Sequence, residues 1–85
     1  MSKVRLLEYN STEAHENRDV YDTKLLGAFN VENENTYLQM IKFAFEKGIT
    51  INVDGSFYCV DDYMLSMPVD NHGIYSIDVF LLREY

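Results

Sequence analysis

Four kinds of residue in this 85-residue chain could do chemistry: one thiol, two imidazoles, one adjacent pair of carboxylates, and a row of aspartates interleaved with tyrosines. Cys59 stands in the apolar run Phe57-Tyr58-Cys59-Val60. A reactive thiol needs an electropositive, accessible setting, and no Lys or Arg stands near this run, so it reads as a buried, inert cysteine. His15 lies in a polar stretch with Glu13 and Glu16, and His72 follows Asp70 in a turn. Neither fragment supplies the convergent ligands of a metal site, so both read as surface histidines. Asp61-Asp62 is the adjacent acid pair. On a strand the two side chains point to opposite faces, and without a bend they share neither a proton nor an ion. The chain has no Gly-rich phosphate loop, no Cys/His zinc spacing and no nucleophile elbow. The expectation is a protein that is not an enzyme and carries no cofactor and no metal.

The aspartates carry a different kind of chemistry. Net charge is −7, from 14 acidic and 7 basic residues. Residues 1–31 and 32–47 each sum to −1. Residues 48–82 hold Asp54, Asp61, Asp62, Asp70 and Asp78 and no Lys or Arg, which places −5 in one segment. Tyr58, Tyr63 and Tyr75 are interleaved with them. Rings give contact area at low entropic cost and acids steer a basic partner, so these eight residues form the expected partner-binding set. The field they imply repels nucleic acid and anionic membrane and attracts basic protein surfaces, such as that of a nucleic-acid-binding enzyme. Alternate residues on a strand lie about 6.6 Å apart. Phosphates along one DNA strand lie about 3.4 Å apart, so carboxylates on a sheet edge and its loops suit a groove built for a phosphate backbone, which is how a DNA mimic works. Two plainer explanations stand beside this one. Acidity keeps a small protein soluble, and a short chain needs about half of its rings for the core.

Positioning these residues falls to a few short elements. Val4 to Tyr9 reads as a first strand. Residues 10–19 are polar and rich in turn formers and read as a surface loop; a short helix from Ser11 would lack an apolar stripe. Residues 20–31 read as a strand, with Leu25, Gly27, Phe29 and Val31 on one face, and Gly27 weakens its middle or marks a bulge. The spacing of Tyr37, Leu38, Ile41, Ala44 and Phe45 predicts a helix over 34–47. Asn33, Asn35 and Thr36 offer caps at its start, and Gly48 is placed to end it in a left-handed conformation. Ile49, Ile51 and Val53 alternate with polar residues before Asp54-Gly55, a strong hairpin signal. Phe57 to Val60 is the return strand; a two-residue loop puts Tyr58 and Val60 on the face of Ile51, and a three-residue loop puts Phe57 and Cys59 there. Asp61 to Asn71 is irregular, with Pro68 against a central strand and a turn over residues 70–73. Ile74 to Leu82 closes the chain as a long strand.

These elements predict a single α+β domain over residues 1–85, in the order β-β-α-β-β-β. One helix packs on one face of a mostly antiparallel sheet of four to five strands, and the other face stays partly exposed. A lone cysteine excludes an internal disulfide and fits a reducing compartment; with no secretory or transmembrane pattern, the expected location is cytoplasmic. In composition (short, acidic, rich in Asn and Tyr) the chain is similar to small phage-encoded proteins that bind and disable a host enzyme, including anti-restriction and anti-CRISPR proteins. That similarity implies an inhibitor acting by protein–protein contact, with no residue-level motif behind it. The alternative is a structural or regulatory homodimer or higher homo-oligomer, paired through an exposed sheet face or edge.

Overall fold

The computed structural model describes residues 2–66 and 76–84. Seven elements follow in order: β1 (Ser2–Tyr9), α1 (Thr12–Glu16), β2 (Thr23–Val31), α2 (Glu34–Lys47), β3 (Thr50–Val53), β4 (Ser56–Ser66) and β5 (Ser76–Arg83). The five strands form one curled, half-barrel sheet in the order β2-β1-β5-β4-β3. The fold is α+β as expected, with two corrections: a second helix lies within residues 10–19, and the sheet is mixed. β1 pairs antiparallel with β2 but parallel with β5, while β5–β4 and β4–β3 are antiparallel. The parallel pair arises because β2 and β3 occupy opposite edges of the sheet. α2 connects them, and the β3-β4-β5 meander then grows inward until β5 meets β1. β5 carries the mark of that central position in five consecutive buried residues, Ile77 to Leu81, as a strand covered on both faces requires.

α2 covers one face. Ile41 and Ala44 pack with Val4, Tyr58, Val60, Ile77, Val79 and Leu81 in the main cluster, with Leu6, Leu26, Tyr37, Ile51 and Tyr63 against it. Its ends follow the sequence: Asn33 accepts from the Thr36 N–H at 3.1 Å, and Gly48 takes φ 65°. Asp54 and Gly55, at φ 50° and 85°, make the two-residue hairpin that puts Tyr58 opposite Ile51.

Two bulges decide which side chains face the helix. In β2 the register slips beside Gly27, because Leu7 pairs with Leu25 while Leu6 pairs with Gly27. Leu26 is the extra residue, so Leu25 leaves the face of Gly27, Phe29 and Val31 and stands exposed. In β4 the slip falls between Val60 and Asp62. Asp61 is the extra residue, which returns Tyr63 and Leu65 to the face of Tyr58 and Val60. What reads as an irregular stretch from Asp61 is therefore strand as far as Ser66.

Candidate protein-binding surfaces

The aspartates of the C-terminal half do not form one free surface. Asp78 is buried and sits beside Arg5 in the parallel β1–β5 register. Arg5 donates from Nε to Oδ1 at 2.8 Å and from Nη2 to Oδ2 at 2.7 Å, and this fork holds the guanidinium above its ordinary pKa. Asp61 accepts from Arg18 Nη1 at 2.9 Å and lies 3.1 Å from His15 Nε2. Asp62 Oδ2 lies 3.9 Å from the same Arg18 nitrogen. The bulge is the bend that the pair needed: it turns both carboxylates toward one cation. Asp54 is exposed at the hairpin turn. Tyr58 lies in the core under Arg83, whose guanidinium is 5.4 Å from the ring centroid and donates to the hydroxyl at 3.0 Å. Tyr63 is half-buried edge-on to Phe45. Asp70, Tyr75, His72 and the turn over 70–73 lie outside the described residues. The segment lacks cations in sequence, but strand pairing and α1 bring Arg5 and Arg18 to it from the N-terminal half.

Those contacts anchor a surface in the stretch read as a plain polar loop. α1 lies on the sheet face opposite α2, where strand alternation puts Leu7, Tyr9, Asp78 and Phe80. Tyr9 stacks on Phe80 at 5.4 Å and meets His15 at the same centroid distance. Ala14 is buried, and Ser11 Oγ accepts from the Ala14 N–H at 3.0 Å as an N-cap. At the other end Arg18 N–H reaches His15 O and Asp19 N–H reaches Ala14 O, a Schellman closure. Its left-handed position is held by Arg18 at φ 53°, where glycine is the usual occupant. The strained residue is the one that grips Asp61, so backbone and ion pair fix the segment together.

Outward from this anchor the segment is acidic. Glu13, Glu16, Asp19 and Asp22 are exposed, and among the described residues none has a cation within ion-pair distance. Tyr21, at 96% exposure, stands among them. The turn is ordered by Asp19, which accepts from the Tyr21 N–H at 3.1 Å, and by Asp22, which accepts from Asn10 Nδ2 at 2.9 Å. Sequence reasoning missed this surface because the sum over residues 1–31 sets Lys3, Arg5, Arg18 and Lys24 against its acids. Tyr21 falls in the stretch 20–31 read as strand, but β2 begins only at Thr23, which leaves the ring in the turn.

Two clefts lie among the described residues. A polar one of about 610 Å³ lies around Glu8, Tyr9, His15, Lys24 and Arg83, where Glu8 meets Lys24 at 3.6 Å and Arg83 at 3.3 Å. Glu8, then Tyr58, raises the Arg83 pKa. An apolar groove of about 650 Å³ runs between α2 and β3. Cys59 is half-buried, and burial first, then Glu84 and Asp61, pushes its thiol pKa up. Among the described residues no group of three or more His, Cys, Asp or Glu converges as a metal site, and no helix is long and apolar enough to cross a membrane. Comparison of the chain with protein-family models, curated proteins and solved structures found no match.

Proposed function

We propose that this chain is a non-catalytic protein-binding module whose recognition surface is the α1 segment, with Glu13, Glu16, Asp19 and Asp22 around Tyr21, and whose partner is a protein with a basic surface. The single observation that carries the reading is Tyr21, a ring left 96% exposed among carboxylates that have no cation within ion-pair distance among the described residues, on a segment anchored at Ser11 and Arg18. A rigid aromatic anchor with a charged surround is the usual make-up of a binding hot spot. The acids speed encounter with a basic partner, and the ring supplies contact once water is expelled. Basic grooves of this kind belong to nucleic-acid-handling enzymes, so the finer proposal is an inhibitor that occupies one. Simple mimicry of duplex phosphates by Asp54, Asp61, Asp62, Asp70 and Asp78 has less support, because Asp61 and Asp78 are already held by arginine.

The test is affinity capture from the source cells on immobilised wild-type chain and on a variant carrying Glu13→Gln, Glu16→Gln, Asp19→Asn, Asp22→Asn and Tyr21→Ala. The wild type should retain a basic protein at about 0.05 M salt and lose most of it near 0.5 M, where the screening length is only a few ångströms. The variant should retain none at either. Equal capture by both chains would refute the assignment.

A further inference from the structure

We infer that the groove between α2 and β3 is the contact face of a symmetric homodimer, which leaves the two α1 surfaces facing outward. The inference does not depend on the proposed function, since α2 and α1 lie on opposite faces of the sheet. Large side chains line the groove while standing in water: Met40 is 61%, Phe43 54% and Ile49 41% exposed. Met40 and Phe43 are one helical turn apart and point to the same side. Among the described residues β3 is the terminal strand of the sheet and pairs with β4 alone, which leaves its other edge beside the groove.

Charge selects the occupant. All nine residues lining the groove are uncharged, in a protein whose residues are 25% charged and whose net charge is −7. A basic partner finds no carboxylate there to recognise. A second copy approaching by any acidic face is repelled, whereas residues 32–47 sum to only −1. Within that stretch the charge is ordered. Glu32 precedes the helix, whereas its second half holds Lys42, Glu46 and Lys47 and sums to +1. A two-fold axis near Met40 and Phe43 sets two α2 helices antiparallel, so each lysine-bearing half approaches the other copy's glutamate-bearing start. The same axis apposes Met40 of one copy with Phe43 of the other and satisfies the self-complementarity of an isologous contact. A domain of this size buries only about 60–65% of its unfolded surface alone, and self-association adds to what the single core supplies.

Sedimentation equilibrium of the full chain from about 1 to 200 μM tests this, because standard-size interfaces dissociate within or below that range. The wild type should sediment as a dimer that weakens at the low end. Met40→Glu and Phe43→Glu should each give a monomer with unchanged far-ultraviolet circular dichroism. Tyr21→Ala, on the opposite face, should leave the dimer intact, so failure here and failure of the α1 reading are separable. Should the glutamate variants misfold, isotope-filtered NMR on mixed labelled and unlabelled wild type should show contacts between the Met40 methyl of one copy and the Phe43 ring of the other. A wild-type monomer at every concentration, or a dimer that survives both glutamate substitutions in folded protein, overturns the inference.

Discussion

Arg5 and Asp78 hold unequal shares of one bond. The Asp78 side chain is 11% exposed and the Arg5 side chain 44%. Removing the arginine strands a carboxylate away from water, whereas removing the carboxylate frees an arginine that can swing out. Arg5→Ala is therefore expected to cost about 1–3 kcal/mol in urea unfolding, and Asp78→Asn about 1 kcal/mol or less. Equal costs would mean that the pair is solvated from both sides. Cys59 gives a pH-dependent outcome. Burial favours the neutral thiol, so the folded chain holds that proton to higher pH than the unfolded chain does. Its contribution to stability is present below the ordinary thiol range and is lost as pH rises through the raised folded value. Alkylation by iodoacetamide at pH 8 should be slower in the native protein than in urea, with the difference shrinking as pH rises.

Helix ends and bulges are where local geometry sets the direction of the side chains. α2 ends on Gly48 at φ 65° and α1 on Arg18 at φ 53°, with similar backbone closures. Asparagine and glycine announce the α2 boundaries, and those were legible in sequence. Arg18 announces nothing, and α1, one buried alanine long in its apolar content, has no periodicity to read. Arg18→Ala loses the Asp61 contact and keeps the backbone strain, while Arg18→Gly loses the contact and relieves it. Arg18→Gly should be the more stable of the two by about 1 kcal/mol in chemical denaturation. The β4 bulge is equally silent, because a strand with one extra residue looks irregular when read at period two. Deleting Asp61 removes the bulge and leaves Val60, Tyr63 and Leu65 in regular alternation opposite Leu81, Val79 and Ile77, so the helix-facing set is kept while the bend is lost. That deletion should therefore still unfold cooperatively in urea, and Asp61→Asn, which keeps the bulge and weakens the Arg18 pair, should cost only about 1 kcal/mol.

In the folded molecule as a whole, charge and apolar surface are segregated. The α1 segment carries Glu13, Glu16, Asp19 and Asp22, without an ion-pair partner among the described residues, and the groove beside α2 is lined by no charged residue. Periodicity gave α2 and most of the strands, Asp54-Gly55 gave the β3–β4 hairpin, and the order of the elements gave the α+β class. Neither could show that β5 inserts beside β1, because parallel pairing leaves no turn signal between the partners. That insertion is what sets Arg5 against Asp78, so the free carboxylates had to be sought elsewhere. The central claim is that residues 11–22 are the recognition surface. Hydrogen exchange of the chain with and without its captured basic partner tests it most directly. Amides of 11–22 should slow by more than tenfold on binding, while those of 37–51 keep their rates; protection confined to 37–51, or none at all, would contradict the account.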